Sequence, residues 1–313
     1  EADCELVYCP ISAGTLGDAV TVSLRILSGT NTAPVCEDGT LETYKNIANS
    51  GTLCAQDKED TKLTYQLVKE PKRGTVELHD DGSFTYTPGK NKVGKDSFVF
   101  TATDPAGNVS NEACVKIRIL KPADKATYQD MSGDKDAFAA MWLKDQGLYT
   151  GRIIAGNLCF EPDDAVSRGE FVTMALACAG IPAGDLTMTG FCDDAEIPTW
   201  AKGSAVSALQ CGLIRGVGTE GGMAFCADEG VTLSEAATVL NRLLRVTDVD
   251  LSDYDAGSAD AWSAQAVANL ESVRVIESGS FSAGDWQRPL TRGEAAQLLS
   301  AAMTLAEKKQ ESA

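Results

Sequence analysis

One phrase restarts three times along this chain: VSRGEFVTMAL from Val166, VTLSEAATVLN from Val231 and LTRGEAAQLLS from Leu290. An internal repeat narrows the architecture before any total does. In each copy a hydroxyl residue, Ser167, Thr232 or Thr291, stands three places before a glutamate, Glu170, Glu235 or Glu294. This spacing predicts a capping box, in which the hydroxyl accepts from the N–H three residues on and the glutamate reaches back to the cap's own N–H. Three helix starts follow from it. Arg168 and Arg292 come directly after the cap in the outer copies, and Leu233 takes that place in the middle one. A cation in the first turn opposes the helix dipole, so it asks for a reason. One reason is an anionic ligand gathered with the free N–H groups of the helix start. The other is a salt bridge to a neighbouring repeat.

The phrase closes a larger unit. Each unit opens on an aromatic residue and an aspartate, Tyr128/Asp130, Phe191/Asp193 and Tyr254/Asp255, the last without a spacer. Seven residues past each aspartate stand Ala137, Trp200 and Trp262. A helical stretch follows, then a glycine-bounded turn (Gly147–Gly151, Gly212–Gly216) and a loop carrying Phe160 or Phe225. This divides the second part into a linker at 121–127, repeats at 128–188, 189–250 and 251–305, and a polar tail at 306–313. Helical periodicity runs through all three repeats, and the expectation is an all-α bundle with pseudo-threefold symmetry.

The first part reads differently. LTYQLV, GTVELHDDGSFTYTP, KDSFVFTATD and ACVKIRIL are short alternating runs between turn signals, with Asp81-Gly82 marking a hairpin. They predict an all-β sandwich of immunoglobulin type over 31–120. AGTLGDAVTVSLRIL from Ala13 matches AGNVSNEACVKIRIL from Ala106. Residues 1–30 therefore read as the closing strands of a preceding domain, and the strand at Val20–Leu27 is expected to lack a partner. Such a strand is either a remnant or one added to a neighbouring molecule. Asp57, Glu59, Asp60 and Asp104 fall in loops, where a calcium ion or plain turn and strand-edge chemistry would use them.

Composition bears on partners. A net charge of −18 and a pI near 4.4 argue against nucleic acid and against an anionic membrane surface. No apolar run reaches the roughly 18–20 residues of a membrane span. Ten cysteines without a CxxC, and the single histidine His79, make no zinc pattern. A dispersed, even set suggests disulfides in an exported protein, with buried thiols at Cys178 and Cys211 as the alternative. No nucleophile–histidine set, P-loop or dinucleotide fingerprint appears, so no enzyme is expected. The chain opens on Glu1 rather than Met, as in a processed product or a segment of a longer protein.

Two resemblances follow from these residues. NTAPV, the hairpin GTVELHDDGSFTYTP and DSFVFTATDPAGN resemble the cadherin-like, immunoglobulin-type repeats of bacterial surface proteins, which implies a spacer or lattice module. The three helical units, FEPDDAVSRGEF and LTRGEAAQLL above all, resemble S-layer homology domains. That resemblance implies a groove between repeats that binds pyruvylated secondary cell-wall polysaccharide of Gram-positive-type bacteria. It would give Arg168 and Arg292 the ketal carboxylate, and Trp200, Trp262, Asp193, Asp255, Arg215 and Gly216 places around the sugar. The sequence departs from the family pattern at Leu233, Ala137, SVRVIESG and Trp286, so the groove that uses Leu233 is expected to be degenerate. The expected function is a non-catalytic, wall-anchored surface protein that self-associates. The alternative is a fibre or adhesin subunit assembled by strand complementation.

Overall fold

The computed structural model describes residues 2–8, 11–12, 15–16, 20–26, 31–59, 62–124, 126–185, 188–251, 262–277, 280–281 and 283–311. Asp60, Tyr254 and Asp255, singled out above, lie outside the described residues. Two compact units form. The first comprises Glu1–Leu41, Ser50–Tyr86 and Lys95–Arg118, the second Glu42–Asn49, Thr87–Gly94 and Ile119–Ala313.

The chain opens with β1 (Ala2–Tyr8), β2 (Ile11–Ser12), β3 (Thr15–Leu16) and β4 (Val20–Ile26). β1 and β4 pair antiparallel, from Ala2 opposite Ile26 to Tyr8 opposite Val20. This corrects the expectation of a partnerless strand at Val20–Leu27: the partner is the N-terminal segment itself. The sandwich follows with β5 (Val35–Glu37), β6 (Gly39–Tyr44), β7 (Asn49–Thr52), β8 (Cys54–Gln56), β9 (Thr64–Lys69), β10 (Gly74–Leu78), β11 (Ser83–Pro88), β12 (Gly94–Thr103) and β13 (Ala113–Leu120). One sheet runs β6-β13-β12-β9 and the other β10-β11-β7, with β5 and β8 as a separate pair. Alternation decides which side chains face inward. Along β13, Ala113, Val115, Ile117 and Ile119 are buried while the residues between them are more exposed. Phe84 of one sheet meets Phe98 of the other edge-on at 5.1 Å. The turn foreseen at Asp81-Gly82 joins β10 to β11, with Gly82 at φ 83°.

The second unit contains α1 (Ala137–Asp145), β14 (Arg152–Ile154), β15 (Asn157–Cys159), α2 (Arg168–Cys178), α3 (Thr199–Gln210), β16 (Val217–Thr219), β17 (Gly222–Ala224), α4 (Leu233–Leu244), α5 (Ala264–Ser272), a 3-10 turn (Ala283–Gln287) and α6 (Arg292–Glu311). It is helical but not all-α. β14–β15 and β16–β17 are antiparallel hairpins between the first helix of a repeat and its phenylalanine loop. The first turns at Ala155 and Gly156, both at positive φ, as a two-residue hairpin loop of right twist requires. Three-residue strands are too short to leave a period in the sequence, which is why helical periodicity hid them.

The repeats close on one another at their caps. Val166 N donates to Leu290 O at 3.1 Å, Leu290 N to Val231 O at 2.8 Å, and Val231 N to Val166 O at 2.9 Å. All three residues are buried. Isolated bridges Ala165–Thr291, Ser167–Gly230 and Thr232–Pro289 flank this triangle. Each phrase helix packs on the first helix of the next repeat: α2 on α3, α4 on α5 and α6 on α1. The three capping boxes stand as expected, at Ser167/Glu170, Thr232/Glu235 and Thr291/Glu294.

Candidate functional site

The arginines explain how the ring holds. Arg292 is 3% exposed, and its Nη1 donates to the carbonyls of Phe160 and Glu161 at 2.7 Å each. Its guanidinium lies over the Tyr149 ring, 5.0 Å from the centroid, with Asp164 at 3.6 Å. Arg168 does the same one repeat on, donating to the carbonyls of Phe225 (2.9 Å) and Cys226 (3.2 Å) and to Glu235 (2.7 Å). The amides beside them are also taken. Arg292 N and Gly293 N donate to Asp164 O and Pro162 O, and Arg168 N and Gly169 N donate to Glu229 O and Ala227 O. The first-turn amides expected for a ketal carboxylate are therefore bonded to the next repeat's loop, as are Nη1 of both arginines, while Arg168 Nε is buried without a hydrogen-bond partner. A loop of carbonyls satisfies the orphan donors of a helix start as an anion would.

The aspartates serve the same loops from the other side. Asp130 accepts from Phe160 N and Glu161 N, and Asp193 from Phe225 N (2.8 Å) and Cys226 N (2.7 Å). Asp193, expected at the sugar, instead fixes its loop. Gly216 also departs from that expectation. It sits at φ 85° with Phe191 and the Ala224 carbonyl where a side chain would go, so its glycine is a steric requirement. Arg215 is exposed, and its charge, after the larger effect of burial, lowers the pKa of Arg242.

Two departures noted separately in the sequence meet in one groove. α6 packs on α1, where Ala137 stands in the tryptophan position and is buried. Here Asp136 accepts from Gln297 and occupies the space a side chain at Gly293 would need. The third repeat's loop is the 3-10 turn Ala283–Gln287, which packs on α4, and Leu233 (0% exposed) and Trp286 (5%) are both buried. Buried apolar side chains thus stand where the other two copies have the arginine latch. Glu294, which accepts from Arg288 at 2.8 Å, is occupied locally.

One cavity of about 150 Å³ opens between repeats. Tyr149, Glu170 and Thr173 of the first repeat line it, with Val166 and Met174 as apolar wall, Trp200 from the second repeat and Arg292 from the third. Trp200 is 53% exposed and its ring lies over Gly169. Trp262, in the corresponding place, is 60% exposed. Neither is a core residue. The hydroxyls of Tyr149 and Thr173 are buried without a hydrogen-bond partner. Sequence reasoning missed both. Tyr149 carried one faint signal, a phenol where the same turn of the second repeat has Ile214.

Of the expected calcium ligands, Asp57, Glu59 and Asp104 lie within the described residues, and the adjacent Asn31 and Thr32 bond to Asp104 and Glu59 respectively. Asp57 accepts from Glu59 N, Glu59 accepts from Thr32, and Asp104 accepts from Asn31 and Asn108. Among the described residues no group of three or more His, Cys, Asp or Glu is arranged to hold a metal ion. The eight cysteines from Cys36 to Cys226, expected in disulfides, are free thiols.

Residues 31–121 match the bacterial cadherin-like domain. Such a domain points to an extracellular or surface protein. Among the described residues no helix is long and apolar enough to cross a membrane. A comparison with curated proteins gives no match. Among solved structures, an endo-fucoidan hydrolase of glycoside hydrolase family 107 is 16% identical at a TM-score of 0.31, covering 39% of this chain and 19% of its own. Human mucin-like protocadherin EC1-2 is 17% identical at 0.24, covering 38% and 68%. The SrpA adhesin of Streptococcus sanguinis is 15% identical at 0.25, covering 32% and 67%. The chain spans 19% and 22% of the length of two such fucoidan hydrolases. Scores this low assign no activity to it.

Proposed function

We propose that the chain is a non-catalytic surface protein. Its three helical repeats, of S-layer homology type, hold it to the secondary cell-wall polysaccharide of a Gram-positive-type envelope. The cadherin-like domain then serves as an outward spacer or lattice contact. The observation that carries the reading is the cavity between repeats, with a half-exposed tryptophan at its edge. An exposed indole beside a recess suits stacking on a sugar ring, because every pyranose has an apolar face. The strand-complementation alternative loses its main support, since β4 already pairs with β1.

The test is co-sedimentation of the full chain with purified cell walls and with walls stripped of their secondary polysaccharide. Pelleting with intact walls alone supports the anchor, and Trp200→Ala weakens it. Equal pelleting with both wall preparations, or with neither, overturns it.

A further inference from the structure

Three arginines gather on the second repeat without an acid. Arg242 lies in the last turn of α4 and Arg245 caps that helix three residues on, so both stand at one end of it. Arg242 Nη1 donates to Leu213 O at 2.8 Å, which seats the guanidinium on the Gly212–Gly216 turn, two residues from Arg215. Arg215 and Arg245 are exposed, and Arg242 is partly buried. Among the described residues no carboxylate pairs with any of the three. Asp248, three residues past Arg245, accepts from Asn269 at 2.9 Å instead. The dipole of α4 favours a cation in its last turn. It gives no reason for Arg215 beside it: like charges repel, and after the larger effect of burial Arg215 lowers the pKa of Arg242. Residues 122–313 hold 28 acidic and 14 basic residues, so carboxylates were at hand to balance these arginines and none does. No other repeat builds this cluster. Thr150 and Ala177 stand at the places of Arg215 and Arg242 in the first repeat, and Glu277 and Ala301 in the third.

We propose that Arg215 and Arg242 bind one phosphate group, with Arg245 adding to the positive field around it. A guanidinium offers a planar fork of N–H donors that matches two phosphate oxygens at once. Arg242 spends only Nη1 on Leu213 O, so the rest of its fork is left for the anion. Two cations also match the charge, since a phosphate group carries about two negative charges near neutral pH. A carboxylate carries one and leaves the second arginine unbalanced. The site lies within the second repeat and not between repeats, and it stands apart from the wall-anchoring reading. The expected stoichiometry is one phosphate per chain, because the other repeats lack both arginines.

The full chain is titrated calorimetrically, at constant ionic strength and about pH 8, with inorganic phosphate, with glycerol phosphate as a monoester, and with acetate. The expected result is one phosphate per chain at a Kd on the order of 1 mM, with acetate at least about tenfold weaker. Binding of either phosphate supports the site, and the tighter of the two names its source. Arg215→Gln and Arg242→Gln are each expected to raise the phosphate Kd about tenfold or more, the worth of a charge-assisted hydrogen bond. A second measurement separates binding from folding. In chloride without phosphate, Arg215→Gln should melt at or above the wild-type temperature, because it relieves a repulsion. A melting temperature several degrees below wild type would show that Arg215 holds the fold, and overturns the inference. So do phosphate affinity unchanged in both variants, acetate binding as tight as phosphate, and no phosphate binding up to about 20 mM.

Discussion

Arg292 and Leu233 occupy equivalent first-turn positions and do opposite chemistry. Arg292 ties two carbonyls of the first repeat's loop, whereas Leu233 is buried opposite a loop whose Trp286 is buried too. Arg292→Ala leaves those carbonyls and nearby carboxylates without their donor, and is expected to cost about 3 kcal/mol. Leu233→Arg places an unpaired cation in a buried apolar position and should cost at least as much, roughly 3 kcal/mol or more. Urea denaturation of both variants checks this; a neutral Leu233→Arg would show that the middle latch was lost by drift. Asp194 sets a pH dependence. Hydrogen bonds from Lys202 and from Thr189 hold its carboxyl down at about 2. Because the folded value lies below the unfolded one, its contribution is complete above about pH 4 and is lost as pH falls towards 2. Melting temperatures across that window should drop for the wild type and less steeply for Asp194→Asn.

At the scale of elements, the capping boxes were legible because their chemistry is local: four consecutive residues contain both partners. The hairpins were not, since three-residue strands have no period to read, and only the positive φ at Ala155 and Gly156 marks the first turn. Gly216 illustrates how such a signal is misassigned. It reads as part of a ligand turn, but φ 85° and the Phe191 ring 2.7 Å from a notional Cβ make it a packing residue that ends the turn before β16. Gly216→Ala should therefore lower stability by about 1–3 kcal/mol through strain and overpacking. Pelleting with cell walls, the readout of the proposed anchor, should stay unchanged at a temperature where the variant is folded. A large loss of affinity without a loss of stability would restore it to the binding site.

Over the whole molecule, the free thiols are the sharpest departure from what a surface protein leads one to expect. The eight cysteines from Cys36 to Cys226 are unpaired, and burial pushes Cys178 up to about 12. Cys192 and Cys211 are exposed. Alkylation of native protein near pH 8, followed by mass spectrometry, should label Cys192 and Cys211 quickly and Cys178 slowly, because the thiolate is the reactive form. Unreduced, denatured protein should titrate with at least eight thiols; fewer would mean disulfides form among them.

The sequence by itself determined the two-part organisation, the β-sandwich with its Asp81-Gly82 turn, and the three capped helix starts, because alternation, turn chemistry and capping are short-range. It could not decide what the arginines touch. Phe160 and Arg292 are 132 residues apart and meet only when the third repeat closes on the first. The same closure brings Ala137 and α6 into one groove and collects Tyr149, Trp200 and Arg292 around one cavity. Residue type fixed which groups were available. Ring closure among the repeats decided which of them were spent on holding the fold and which were left unpaired.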